Sequence, residues 1–212
     1  MIHAGPPAHH RHHQPHRHQK DHARARHLSG SLDHRRNAVT DSRQIETTRA
    51  GRLNGMSDVD FIAIDPERLQ RMRERGADEH GNPWTPRTAE GWEPLRCCLR
   101  KAEVSEQIAL VCYTPWTEPS PWLEAGPVFV HFGQCNGYTT PGDYPEAFLH
   151  SRSMLNPFDH TGARAYDHIT FLQPEDDHEA AVRTILDQPQ VDYLHVRSAI
   201  AGCFTFEVRP AH

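Results

Sequence analysis

No stretch of this 212-residue chain is long and apolar enough to cross a bilayer. A membrane span needs roughly 18 or more consecutive apolar residues. The longest run here, Ile108-Ala109-Leu110-Val111-Cys112-Tyr113, has the length of a β-strand. The apolar segment of a secretory signal is missing from the N-terminus. Also missing are the Gly-rich phosphate loop with its lysine, the dinucleotide fingerprint, the Gly-x-Ser-x-Gly elbow and His-Glu-x-x-His, so the most legible nucleotide-binding, hydrolase and metalloprotease classes are not indicated. Cysteine is scarce: there are five, an odd number, and none form a Cys-x2-Cys pair. Neither a disulfide framework nor a standard zinc knuckle is spelled out, and free thiols in a cytoplasmic, reducing setting are expected.

Aromatic residues are absent from the first 55 positions, which instead hold ten histidines, six of them between His9 and His18. Such a segment buries too little surface to offset the entropy of ordering it, so residues 1–55 are expected to be a disordered leader. Two readings of that leader stand side by side: an over-extended start, with Met56 the true initiator, or a histidine-rich tail able to hold nickel, copper or zinc. Residues 56–212 contain every cysteine and every aromatic residue, enough for one hydrophobic core. The charge divides at the same place. The leader has ten Lys or Arg against four Asp or Glu, and the remainder has 13 against 24. A domain this acidic is a poor partner for nucleic acid, and nothing in it suggests a membrane.

The predicted elements alternate without a repeat. Asp65 and Pro66 open a helix that Gly76 closes, since an aspartate caps, proline suits the first turn and glycine suits the exit. Strands are predicted near Val59–Ile64, over Gln107–Thr114, Val128–Phe132 and Ala163–Leu172, and at the end over Val191–Ser198 and Cys203–Arg209. Glu146–Ser153 reads as a short helix and Pro174–Leu186 as another, with its acids at the N-terminal end where the macrodipole favours them. The expectation is a single α+β domain with a mainly antiparallel sheet of about six strands and two or three short helices. The tryptophans at 84, 92, 116 and 122 fall in Pro-rich loops, where they either wall a pocket or close the core.

Two strand-like segments each carry a histidine with a cysteine close behind: His131 with Cys135, and His195 with Cys203. Alternate residues of a strand share a face, so Tyr193, His195 and Arg197 are expected on one side and Leu194 and Val196 on the other. That trio could clamp a small anion, with Arg197 as bidentate anchor and His195 as proton donor. The competing expectation pairs Arg197 with an acid and His195 with the backbone. Cys98 stands beside Arg100 and Lys101, the most favourable local charge for a thiolate, and a histidine within reach would make it a nucleophile. The candidate catalytic residues are therefore Cys98, His131 and His195, with Arg197, Tyr193 and Arg100 as ligand contacts. His131-x3-Cys135 also has the spacing of two metal ligands. His195 and Cys203, or Cys98, could complete a tetrahedral set of which the sequence alone gives only a weak signal. No cofactor is indicated.

Four separated segments resemble one bacterial family, the domain of unknown function numbered 1203. They are Arg96-Cys97-Cys98-Leu99-Arg100; Ser120 through His131; Cys135; and His195-Val196-Arg197-Ser198-Ala199 with Gly202-Cys203-Phe204. The family segment reads Pro-Cys-Arg-His-Cys-Leu-Arg, whereas this chain has Leu95 for the first cysteine and Cys97 for the histidine. A site that requires that first cysteine is therefore not essential here. The resemblance implies the extent of the folded unit and no activity. Two function classes remain: a small-molecule binding protein or enzyme with a His/Arg/Cys site for an anionic ligand, or a non-catalytic structural or interaction domain. A concave pocket joining the two segments would favour the first.

Overall fold

The computed structural model describes residues 58–211. The His-rich leader and its boundary at Met56 lie outside the described residues. Helix α1, Pro66–Arg75, is bounded as its sequence requires. The Asp65 carboxylate accepts the Glu67 amide at 2.9 Å, Pro66 occupies the first turn, and Gly76 ends the helix in the left-handed region at φ 69°. Leu69 and Met72, three apart, form its buried stripe.

Among the described residues, ten strands form two five-stranded sheets rather than the single sheet of about six strands expected. The first sheet has the order β1 (Val59–Ile62), β10 (Phe204–Pro210), β9 (Tyr193–Ser198), β7 (Ser153–Phe158), β8 (Thr170–Leu172), and every pairing is antiparallel. The second has the order β2 (Arg87–Thr88), β5 (Gln107–Tyr113), β6 (Gly126–His131), β3 (Pro94–Leu95), β4 (Arg100–Lys101). Only its β3–β6 pairing is parallel. With α1 and α2 (His178–Leu186), this is an α+β fold. No helix among the described residues is long and apolar enough to cross a membrane.

Two elements differ from expectation. The predicted helix over Glu146–Ser153 is a single 3-10 turn, Glu146–Phe148, and the predicted strand over Ala163–Leu172 shrinks to β8. Strand β7 went unpredicted because Asn156-Pro157 reads as a turn. It is tolerated because the Pro157 carbonyl accepts the Ala165 amide at 2.9 Å. In an antiparallel ladder a residue's N and O point the same way, so the missing prolyl N–H faces away from β9 and no bond to β9 is lost.

Each sheet supports its own core. Leu194 and Val196 of β9, with Phe206 and Val208 of β10, pack against Val182, Ile185 and Leu186 of α2. The second core joins Leu69 and Met72 of α1 to Ile108, Val111, Val128 and Val130. Phe204 belongs to this second core although Phe206, two residues on, belongs to the first. A bulge explains the switch. Phe204 pairs with Arg197 and Phe206 with Val196, so one extra residue turns Phe204 to the other face.

Candidate metal centre

The parallel pairing of β3 and β6 brings two distant cysteines to one histidine. Leu95 sits beside Phe129, so two residues further on Cys97 meets His131. The Arg96 amide donates to the Phe129 carbonyl at 2.8 Å, and the His131 amide donates to Cys97 Sγ at 3.3 Å. Successive residues in a strand would point apart. Here residues 96–99 form a turn, with Leu99 in the left-handed region at φ 56°, and both Cys97 and Cys98 face His131. Cys97 Sγ lies 3.1 Å from His131 Nδ1, Cys98 Sγ 3.8 Å from the same nitrogen, and the two sulfurs are 4.0 Å apart. Cys135, four residues beyond His131, completes the group: one ligand atom from each of Cys97, Cys98, His131 and Cys135 lies within 4.8 Å of all the others.

The far side of the imidazole is held as well. His131 Nε2 contacts Glu106 Oε1 at 2.6 Å, and Glu106 is clamped by both terminal nitrogens of Arg100 at 2.6 and 3.0 Å. Glu106 also accepts the Glu103 amide at 2.8 Å, which fixes the loop between β4 and β5. Arg100 chiefly draws the Glu106 carboxyl down to about 2. The contact with Cys98, supported by Glu106, holds the His131 imidazole up at about 9 against the burial that opposes its charge. Cys97 shares its thiol proton with Cys135 and Cys98 and is raised. Its two acceptors are lowered, Cys98 to about 4 with help from His131 and Arg100, and Cys135 to about 6. Arg73, close enough to feel both Cys97 and Cys135, adds a further positive charge. Cys135 also lines an open cleft of about 440 Å³ with Arg73, Gln70 and Gln134.

Of the residues singled out in the sequence, Cys98, His131, Cys135 and Arg100 meet here. His195 and Cys203 are not among the four clustered ligands, so the tetrahedral set that includes them is not the one the fold assembles. Cys97 and Glu106 were missed. The role of Cys97 depends on the β3–β6 pairing and a left-handed turn, and that of Glu106 on the β5–β6 ladder that sets Ile108 opposite His131, none of which a local pattern announces. Cys112 and Cys203 stand apart, half-buried.

The second histidine belongs to the first sheet. Tyr193, His195 and Arg197 do share a face opposite Leu194 and Val196, as alternation requires, yet His195 and Arg197 are also buried. Arg197 donates from Nε to the Gly202 carbonyl at 2.8 Å and pairs with Glu124 at 2.6 Å, so its guanidinium is committed within the fold. His195 Nε2 meets Glu207 Oε2 at 3.2 Å, and the His195 ring is boxed by Trp116, Phe158, Tyr193 and Phe204. Tyr193 stacks on Phe158 and carries the Arg209 guanidinium over its other face. Burial pushes the His195 imidazole below its ordinary value, and Glu207 only partly offsets that.

A family model described as protein of unknown function (DUF1203) matches residues 92–209, more than half of the chain and a span that contains every residue of both histidine sites except Gln70 and Arg73. No curated protein and no solved structure matches.

Proposed function

We propose, starting from the chain's membership of this family of proteins of unknown function, that it is a metal-binding domain whose Cys97, Cys98 and Cys135 thiolates and His131 Nδ1 hold one zinc ion. One observation carries this reading: four soft or borderline donors, drawn from two segments more than thirty residues apart, converge within 4.8 Å. Tetrahedral zinc with bonds of about 2.3 Å to sulfur and 2.0 Å to nitrogen has ligand–ligand separations of roughly 3.5–3.8 Å. The separations of 3.1, 3.8 and 4.0 Å around Cys97, Cys98 and His131 straddle that range.

The surroundings fit the same ion. A histidine that ligates through one nitrogen commonly donates the other N–H to a carboxylate, and Glu106 stands at Nε2. Three thiolates on a divalent cation leave one net negative charge, and Arg73 and Arg100 lie near the sulfurs. Four protein ligands close the coordination sphere, which suits a structural or storage role better than catalysis at the metal. Thiolate donors favour zinc or copper(I) over magnesium or calcium.

The test must separate this centre from the ten histidines of the leader, so cobalt(II) is the probe. The full chain loaded with one equivalent should develop the intense thiolate-to-cobalt charge-transfer absorption of a tetrahedral thiolate site, and Cys98→Ser or Cys135→Ser should abolish or sharply weaken it. Cobalt binding without that absorption would place the metal on the leader and sink the reading.

The Cys98–His131 contact of 3.8 Å favours one other reading, a thiolate–imidazolium nucleophile in the metal-free chain. Rapid alkylation of Cys98 by iodoacetamide at mildly acidic pH, slowed by His131→Ala and unaffected by zinc, would select it over the metal centre.

A further inference from the structure

Arg73 stands beside the thiols without a partner of opposite charge. It follows the buried Met72 on α1, and its side chain reaches across to the chain just past the end of β6. There Arg73 Nε donates to the Phe132 carbonyl at 3.2 Å, and the same oxygen accepts from Trp84 Nε1 at 3.1 Å. The Arg73 guanidinium also lies over the Trp84 ring, 5.4 Å from its centroid. Phe132 falls between His131 and Cys135, so these contacts grip the segment that carries two of the four proposed ligands.

The rest of the guanidinium is uncommitted. Arg73 Nη2 is buried and has no hydrogen-bond partner among the described residues, and no carboxylate pairs with Arg73 among them. The ionisable groups within its electrostatic reach are Cys97 and Cys135, and it lines the open cleft together with Cys135. Arg100, the other arginine near the sulfurs, is committed to Glu106 through both terminal nitrogens. A half-buried cation with no anion beside it is costly, and ionised cysteines would remove that cost.

The sulfurs are prepared for negative charge from their own side. The His131 amide donates to Cys97 Sγ at 3.3 Å, and the Gly137 amide donates to the Cys135 thiol. Zinc held by three thiolates and a neutral imidazole carries one net negative charge, and one uncommitted guanidinium matches it. We propose, resting on the reading of the thiols as a zinc centre, that Arg73 is a positioning residue for the ion: its Nη2 donates to the Cys97 and Cys135 thiolates once zinc has displaced their protons to solvent. Such charge-assisted bonds fix the two sulfurs and draw electron density away from the metal.

The test loads the full chain with cobalt(II) and compares two variants. Arg73→Met keeps an unbranched side chain on Trp84 but loses the charge, and Arg73→Lys keeps the charge. Without the hydrogen bonds the sulfur lone pairs rise in energy, so Arg73→Met should move the thiolate-to-cobalt absorption to longer wavelength. The cobalt concentration that half-develops this absorption reports on the thiols and not on the leader, and it should rise about tenfold or more. Arg73→Lys should recover most of that loss. A purely structural Arg73 would lower the melting temperature of both variants and leave the absorption at its original wavelength, which would overturn the proposal. Unchanged cobalt affinity in Arg73→Met would overturn it too. A crystal structure of the zinc-loaded chain decides without any variant: Arg73 Nη2 in contact with the two sulfurs is expected, and Nη2 turned away from both overturns the assignment. Failure of the zinc centre itself looks different. An unaltered chain that never develops the absorption removes the centre and the role of Arg73 together, whereas a normal absorption that Arg73→Met leaves in place removes the role of Arg73 alone.

Discussion

His131 and His195 begin from the same arrangement: each stands on a strand and presents Nε2 to a glutamate, at 2.6 and 3.2 Å respectively. Their protonation then moves in opposite directions. Around His131 lie thiols, and its imidazole is held up at about 9. Around His195 lie four aromatic rings, and burial holds its imidazole down. A carboxylate partner does not by itself decide whether a histidine is charged. The groups on its remaining faces decide, because a stabilised cation needs compensating charge and a dry aromatic box offers little. The difference also separates a histidine among thiol donors from one sealed among aromatic rings.

The comparison can be broken most forcefully at the thiols. If the metal clips the 96–99 turn to β6, Cys98→Ser or chelation of the zinc should cost several kcal/mol and lower the melting temperature by roughly 10 °C or more, read by scanning calorimetry with and without added zinc. An unchanged transition would mean that the thiols do not clip the fold. Next in size is Glu106→Gln, which keeps the hydrogen bond to His131 Nε2 but removes its charge; zinc affinity should fall about 10–100-fold in a competition assay, with the fold intact. Equal affinity would leave Glu106 as a partner of Arg100 alone.

Opposite His195, Asn156→Leu replaces a buried side-chain amide that has no partner among the described residues by an apolar group of similar size. It should be neutral or stabilising by about 1 kcal/mol in denaturant melts of the ligand-free chain, because the desolvation cost of the amide disappears. A clear loss would show the amide to be satisfied by ordered water. The most gradual effect is in pH. Folded His195 resists the proton that its unfolded counterpart accepts near pH 6.5, so the unfolded chain gains protons first as pH falls. The His195 contribution to stability should decline on acidification from about pH 7 to 5, at up to about 1.4 kcal/mol per pH unit, against an opposing contribution from His131, whose raised imidazole is already protonated in the fold. His195→Gln should flatten that slope. Glu207, whose carboxyl is lowered by His195 and Arg209 despite its burial, acts mainly below the ordinary glutamate range near pH 4.3, and the thiols and His131 act alike in the chain and in its His195→Gln variant, so the difference between the two slopes isolates His195.

What the sequence reveals here follows the range of the interactions involved. The caps of α1 are written in Asp65, Pro66 and Gly76, each acting within a turn of its own position, and the helix appears where they place it. The faces of β9 follow from alternation alone. Strand β7 hides behind Asn156-Pro157, because the tolerance of a proline depends on which way its nitrogen faces a partner over thirty residues away. The thiol centre divides in the same manner. His131-x3-Cys135 is a local spacing and was legible, whereas Cys97 and Glu106 join only through strand pairing. The second sheet was legible only in β5 and β6 for a related reason: β2, β3 and β4 are two residues each, too short to show a period.

Pro157 has one more consequence, for errors of assembly. A sheet whose strand slips by one residue reverses every side chain between core and surface. For most strands the backbone itself does not object, since every residue can offer an N–H to either neighbour. In β7 it does. A slip of one position against β9 would turn the prolyl nitrogen toward its partner, and the shifted ladder would lose a bond that the native one never required. The register that opposes Asn156 to His195 is thus proofread by the main chain as well as by packing, so the residue that conceals the strand from a sequence reader also protects it from misalignment.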